Sequence, residues 1–163
     1  MRTMRPALAL VLMLLAACAG GAEERPATAG DAKLVLTSSA FAEGETIPTE
    51  FTCDGANASP PLAWSGVPGG ADALVLTVED PGAPYGNFVH WSVGGIDPSA
   101  TDVARGGVPE GGEELGNDAG GRGYTGPCPP ESDEPHRYIF TITAFAEDGS
   151  FLGSGTLTGT YGR

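Results

Sequence analysis

The sequence predicts an all-β domain, mainly an antiparallel β-sandwich, with long loops and little helix. Short runs rich in β-branched and aromatic residues alternate apolar and polar side chains, as half-buried strands do. The 26 glycines and 14 prolines are scattered between these runs as turn signals and form no repeat. No long stretch keeps the apolar period of an amphipathic helix. At 163 residues the chain is long enough for one domain with its own hydrophobic core.

The first 17 residues have the pattern of a signal peptide. Arg2 and Arg5 precede an apolar stretch, residues 7–17, that is too short to span a bilayer as a mature helix. This pattern predicts export from the cytoplasm.

Cys18 directly follows Leu-Ala-Ala, which is the pattern of a bacterial lipobox. We therefore predict that Cys18 is the lipidated first residue of a mature, membrane-anchored lipoprotein on the periplasmic or cell-surface side. Residues 18–32 are small, charged and proline-containing, and they predict a flexible tether. The domain itself is predicted over 33–163. The alternative is an ordinary secretory signal with an incidental cysteine.

Candidate strands follow one another along this domain, separated by Gly, Pro, Asn and Asp. They cover residues 33–37, 47–52, 62–64, 73–79, 87–94, 136–145 and 155–161. Residues 97–122 are dominated by Gly, Glu and Asp and lack an apolar period, so they predict a long loop that is functional or mobile. Residues 123–130 contain three prolines and predict a stiff loop.

Three polar side chains occur at the ends of the strongest strand candidates. Asp80 continues the alternating apolar row of residues 74–80 at the strand end, and the Pro/Gly-rich turn 81–84 follows. His90 and His136, the only two histidines, lie in the next strong strands, and Tyr138 continues the row of His136. This arrangement predicts one small pocket.

Histidine and tyrosine suit an anionic ligand in such a pocket. A carboxylate near a histidine favours the imidazolium, and two imidazoliums with a tyrosine hydroxyl would bind phosphate or sulfate. Asp80 would then orient a histidine or meet the ammonium group of a zwitterion. The alternatives are structural histidines bonded to loop carbonyls, a turn-capping Asp80, and a Tyr138 that belongs to the core.

The cysteine count is odd, which leaves one cysteine over in an exported chain. If Cys18 carries lipid, Cys53 and Cys128 remain and are predicted to form a disulfide in an oxidising compartment. The alternative is two buried free thiols.

The formal net charge of −13 excludes several partners. The sequence has no cluster of Lys and Arg residues of the kind that binds nucleic acid, and its negative charge disfavours attraction to an anionic lipid surface. No G-x-S-x-G motif and no metal-ligand spacing occur, so the sequence predicts neither an enzyme, a cofactor nor a metal site. A protein-interaction or inhibitor module that uses residues 97–122 remains the main alternative, and a hydrolytic enzyme is the weaker one.

Five segments resemble the phosphatidylethanolamine-binding protein family, also called Raf kinase inhibitor-like, in its bacterial form. Two of them are signature segments, DPGAPYGNFVHW and GYTGPCPPESDEPHRYIF, at residues 80–91 and 123–140. The supporting segments are FTCDGANASPPLAWSGVP (51–68), GNDAGGRGY (116–124) and LTGTYGR (157–163). The resemblance covers roughly residue 34 to the end of the sequence.

The resemblance implies a β-sandwich with a small anion-accommodating cavity at one end and a wall at residues 126–130. By motif position, the implied ligand-binding residues are Asp80, Phe88, His90, Pro129, Pro130, His136 and Tyr138. We therefore expect a lipoprotein that binds phosphate or a phosphoethanolamine-like headgroup and contacts the membrane only through its lipid anchor.

Two departures from the family pattern bear on this expectation. Gly82 replaces the second acid of the Asp-Pro-Asp-Ala-Pro box. Only AEDGSFLGS, residues 146–154, stands where bacterial relatives usually carry a helical segment. Both departures are expected to alter the pocket or the contacts near it.

Overall fold

The computed structural model describes Gly30 and residues 32–163, and in this part of the chain nine β-strands form two sheets. The predicted signal peptide 1–17, the lipidation site Cys18 and nearly all of the predicted tether lie outside the described residues. The strands are β1 Ala32–Lys33, β2 Val35–Ser38, β3 Leu62–Ser65, β4 Ala73–Asp80, β5 Phe88–Ile96, β6 Asp102–Val103, β7 Glu113–Glu114, β8 His136–Phe145 and β9 Phe151–Tyr161.

Six strands form the larger sheet in the order β1-β9-β8-β4-β5-β7, and three form the smaller sheet in the order β2-β3-β6. All strand pairs are antiparallel except β1 with β9. The facing side chains of the two sheets form a single hydrophobic cluster, to which the smaller sheet contributes Leu36, Leu62 and Trp64. The predicted all-β, mainly antiparallel sandwich with little helix is confirmed.

The alternating pattern of the central strands determines which side chains enter the core. In β4 every second residue, from Leu74 to Asp80, is buried, and β8 alternates in the same way from His136 onward. Successive side chains of a strand point to opposite faces, so one row of each strand packs inward. Asp80 and His136 are therefore drawn into the buried row although they are polar.

Two of the predicted elements differ in the structure. Residues 47–52 contain a 3₁₀ turn, Thr49–Phe51, where a short strand was predicted. Pro48 has no N–H to donate, and its carbonyl accepts the Phe51 N–H instead, which closes the turn. The predicted strand 33–37 is divided at Leu34 because β1 pairs with β9 whereas β2 pairs with β3 in the other sheet.

The long segment 97–122 is mostly loop, as predicted, but it contains β6 and β7. β7 adds two residues to the edge of the larger sheet, opposite Val93 and Gly94. The end of the predicted tether also differs, because Ala32 is already the first residue of β1 and pairs with Gly153. In the described part of the chain, no helix has the length and apolarity needed to cross a membrane.

Candidate functional site

A cavity of about 640 Å³ opens at one end of the larger sheet. The strand order places it there, because β4 ends at Asp80 between its antiparallel neighbours β5 and β8, which begin at Phe88 and His136. All seven ligand-binding residues expected from the family motifs line this cavity: Asp80, Phe88, His90, Pro129, Pro130, His136 and Tyr138.

Asp80 uses both carboxylate oxygens within the protein. Oδ1 accepts the backbone N–H of Gly82 at 2.8 Å, which closes the turn after β4. Oδ2 lies 2.7 Å from Nδ1 of His136. The two roles considered for this residue, capping the turn and orienting a histidine, are therefore filled together by one buried side chain.

His136 lies between two carboxylates. Its Nδ1 donates to Asp80, since a carboxylate can only accept. Its Nε2 lies 3.5 Å from Oδ2 of Asp133, a more exposed side chain three residues earlier in the chain. A ligand anion that approaches Nε2 would therefore compete with Asp133.

His90 is held in the cavity wall by a backbone carbonyl. Its Nδ1 donates to the carbonyl oxygen of Thr125 at 2.7 Å, so Nε2 is the ring nitrogen that can meet a ligand. Burial lowers the pKa of His90, although the Thr125 carbonyl and the charges of Asp80 and Asp118 act in the opposite direction. Burial thus opposes the second imidazolium that was expected at His90.

Tyr138 forms the deep end of the cavity. Its side chain is completely buried, and its hydroxyl has no hydrogen-bond partner among the described residues. Burial, followed by the negative charge of Asp80, raises the pKa of Tyr138 far above its usual range, so the hydroxyl keeps its proton and can donate. The rings of Tyr138, His90 and Phe88 follow one another toward the surface, with centroid separations of 5.2 Å and 4.7 Å.

The wall at residues 126–130 is fixed by a disulfide between Cys53 and Cys128, which confirms the predicted pairing. Two hydrogen bonds support it: the Cys53 N–H donates to the Pro127 carbonyl, and the Gly126 N–H donates to Asn57 Oδ1. A Cβ at position 126 would lie 2.5 Å from the Phe51 carbonyl oxygen. Only glycine allows this close approach, so the wall is held against the neighbouring loop on several sides.

Sequence reasoning missed part of the cavity. The additional lining residues include Tyr85 and Asn87 on the turn after β4, Asp118 in the long loop, and Thr125. The segment GNDAGGRGY was recognised only as a supporting motif, and it carries Asp118 to the mouth of the cavity. Asp118 accepts the Val89 N–H at 2.7 Å.

The two departures from the family pattern occupy different ends of the sheet. A Cβ at Gly82 would lie 3.3 Å from Asp80 Oδ1 and 3.8 Å from Cγ of His136, so a side chain there would cover the Asp80–His136 pair. The short connection between β8 and β9 lies at the other end of the ten-residue strand β8, about 30 Å from the cavity. The short connection therefore does not contact the cavity, and the expected change in partner contacts near that edge stays a prediction.

Among residues 32–163 no group of three His, Cys, Asp or Glu side chains is arranged to hold a metal ion. The inner cavity is lined by the Tyr138 hydroxyl, the imidazoles of His90 and His136, and the Asp80 carboxylate. This arrangement can bind a small polar group and position it without covalent chemistry.

Comparison with known proteins connects this chain to a family. The sequence model of the phosphatidylethanolamine-binding protein family matches residues 37–161. The "Putative lipoprotein LppC" of Mycobacterium tuberculosis is 43% identical over 150 residues, which cover 83% of this chain and 74% of LppC. A UPF0098 protein of Methanothermobacter thermautotrophicus is 38% identical over 150 residues, covering 78% of this chain and 98% of that protein.

Two solved structures are similar. A phosphatidylethanolamine-binding protein homologue from Chlamydia trachomatis matches with a TM-score of 0.73 and 36% identity. Escherichia coli YbcL, a member of the mammalian PEBP family, matches with a TM-score of 0.75 and 29% identity. Each match covers 80% of this chain and 98% of the solved chain.

Proposed function

Since the chain belongs to the phosphatidylethanolamine-binding protein family, we propose that its cavity binds a small ligand through a phosphate-like or phosphoethanolamine-like headgroup. The observation that carries the proposal is the buried Tyr138 hydroxyl, a donor without a partner among the described residues in a cavity that opens to the surface. A buried polar group that is left unpaired costs free energy, and a ligand oxygen would recover it.

The two histidines complete the proposed site in different ways. His136 is oriented by Asp80, and His90 presents Nε2 because Nδ1 is bonded to Thr125. When His90 is neutral, its Nε2 is a hydrogen-bond acceptor and cannot donate to an anion. A hydrogen bond between Nε2 and the ligand then needs one further proton, either on the ligand oxygen or on Nε2. The ligand-binding residues proposed are Asp80, Phe88, His90, Pro129, Pro130, His136 and Tyr138.

We further propose that Cys18 carries a lipid that holds the domain on the extracytoplasmic face of a membrane. The lipobox pattern before Cys18 supports this, and so does the name of the M. tuberculosis relative, which is 43% identical. The Cys53–Cys128 disulfide agrees with an oxidising compartment.

Calorimetric titration of phosphoethanolamine into the full chain, kept in solution with a nonionic detergent, tests the binding proposal. The parent is compared with Tyr138→Phe, which removes only the hydroxyl oxygen, and with His90→Ala and His136→Ala. We expect saturable binding by the parent and a loss of roughly tenfold or more for each folded variant, in line with a hydrogen bond to a charged group.

A second candidate is a protein-interaction or inhibitor module. Val108 and Leu115, two large apolar side chains of the 97–122 segment, are exposed at 45% and 40%. Folded parent protein that binds neither phosphate nor phosphoethanolamine would overturn the pocket proposal and favour this second candidate.

A further inference from the structure

We propose that the disulfide between Cys53 and Cys128 is a thiol–disulfide exchange site, which a dithiol reductant opens by attacking Cys53 Sγ. Cys128 leaves as a thiolate, and the guanidinium group of Arg163 stabilises its negative charge. No ligand of the cavity takes part, so the exchange site is independent of the proposed function.

The disulfide lies at the surface of the domain. Cys53 and Cys128 are both exposed residues, and Cys128 also lines the open cavity. Exposed disulfides are the labile ones, because a thiolate must reach one of the two sulfur atoms before exchange can occur. A small thiol can therefore attack this bridge from solvent without prior unfolding of the domain.

The guanidinium group of Arg163 lies beside one of the two sulfur atoms. Its Nη1 donates a hydrogen bond to Cys128 Sγ at 3.8 Å. A neighbouring cation lowers the pKa of a cysteine thiol, and a thiol with a lower pKa leaves faster in exchange. Arg163 therefore favours the departure of Cys128 and directs the attack to the other sulfur atom.

Two carboxylates hold this guanidinium group and offset part of its charge. Its Nε lies 3.2 Å from Oδ2 of Asp54, and its Nη2 lies 3.7 Å from Oε1 of Glu131. Asp54 directly follows Cys53 in the chain, and its negative charge disfavours a thiolate on that cysteine. The charges on both sides of the bridge thus make Cys128 the better leaving group.

The two loops that carry the cysteines are also joined by hydrogen bonds that do not involve sulfur. The Gly126 N–H donates to Asn57 Oδ1 at 2.7 Å, and the Tyr124 hydroxyl donates to the Phe51 carbonyl at 2.8 Å. These bonds keep the loops together when the disulfide opens. The two thiols therefore stay close enough for the bridge to form again.

The exchange proceeds in two balanced steps. The thiolate of the reductant forms a bond to Cys53 Sγ while the S–S bond breaks, and the electron pair of that bond goes to Cys128 Sγ. The second thiol of the reductant then attacks the mixed disulfide, which releases Cys53 as a thiol and oxidises the reductant to a disulfide.

The test identifies the attacked sulfur in the full chain with reduced glutathione, a monothiol that forms the mixed disulfide. Free thiols are first blocked with N-ethylmaleimide, glutathione is added, and the thiol that the exchange releases is labelled at early times with iodoacetamide. Peptide mass spectrometry shows which cysteine carries each group. The variants are Arg163→Gln and the conservative Arg163→Lys. Arg122→Gln is the matched control, because it removes an arginine from an ion pair of similar length, 3.1 Å from Glu113.

We expect glutathione on Cys53 about three- to fivefold more often than on Cys128, as a lower pKa of the leaving thiol provides. Arg163→Gln should open about threefold more slowly and lose this preference, since the leaving thiolate has no cation beside it. Arg163→Lys should keep most of the preference, and Arg122→Gln should behave as the parent does.

Glutathione found mainly on Cys128, or an unchanged preference in Arg163→Gln, would overturn the assigned direction of attack. The rate is also measured at increasing urea concentrations. A bridge that opens only where urea unfolds the domain would overturn the exchange site itself, whereas opening in the absence of urea supports it. The failure of phosphoethanolamine to bind is a separate measurement and would overturn the proposed function alone.

Discussion

Nδ1 of His136 lies 2.7 Å from Oδ2 of Asp80, and only 8% and 4% of the two side chains are exposed. The contact joins the first residue of β8 to the last residue of β4, 56 positions apart in the chain. Because the other Asp80 oxygen closes the turn at Gly82, one carboxylate connects the strand end, the turn and the cavity wall.

Replacing Asp80 should therefore destabilise the fold as well as the site. Asp80→Ala leaves the His136 ring and the Gly82 N–H without their acceptor, and breaking a buried pair in this way costs about 3 kcal/mol. Asp80→Asn keeps one oxygen and should cost clearly less. Urea unfolding near pH 7 measures both, and an Asp80→Ala variant within about 0.5 kcal/mol of the parent would contradict this role.

His90 should make the fold less stable on the acid side. Burial lowers its pKa from the ordinary value of 6.5, so the unfolded chain binds a proton that the folded chain does not. The free energy of unfolding should then fall as pH is lowered below about 6.5, by at most about 1.4 kcal/mol per pH unit from this group. His90→Gln should flatten the curve between pH 7 and 5, and parallel curves for parent and variant would refute the assignment.

Sulfate binding should show the opposite pH dependence. Sulfate does not titrate in this range and only accepts hydrogen bonds, so it requires a proton on Nε2 of His90. Its affinity should decrease as pH rises from 5 to 8, approaching tenfold per pH unit above the pKa of His90 in the free protein. Calorimetry with parent and His90→Gln measures this, and a pH-independent affinity in the parent would exclude His90 as the anion donor.

The periodic strands could be predicted because their pattern is local. The alternation in β4 and β8 follows from side chains that point to opposite faces, and it placed Asp80, His136 and Tyr138 in the buried row. Motif order then placed Pro129 and Pro130 in the wall. These residues all line the cavity in the structure.

The features that sequence reasoning missed depend on contacts between distant segments. The chain passes from one sheet to the other at Leu34, because β1 pairs with β9 whereas β2 pairs with β3. The local sequence pattern does not predict which strands pair. Asp118 reaches the cavity through hydrogen bonds to Val89, 29 positions away. The lowered pKa of His90 likewise comes from burial that only the assembled sheet creates.

Asp133 should weaken anion binding, since its carboxylate lies 3.5 Å from Nε2 of His136. Asp133→Asn removes this negative charge beside Nε2 and should increase the affinity for phosphate about two- to fivefold, the usual size of a partly exposed charge interaction. Glu134→Gln is the matched control, because it removes the same charge from the adjacent exposed residue. An equal gain in both variants would indicate general charge repulsion and contradict a specific contact with His136.

The disulfide should contribute to both stability and ligand affinity. Cys53 and Cys128 are separated by 75 positions, and in the chain-entropy model closing such a loop stabilises by about 4 kcal/mol. The double variant Cys53→Ser/Cys128→Ser should lose roughly this free energy of unfolding, and the reduced parent should behave in the same way.

Cys128 also lines the cavity, so phosphate affinity should fall together with stability. Unchanged affinity in a folded double variant would mean that the hydrogen bonds from Cys53 to Pro127 and from Gly126 to Asn57 hold the wall without the covalent bond.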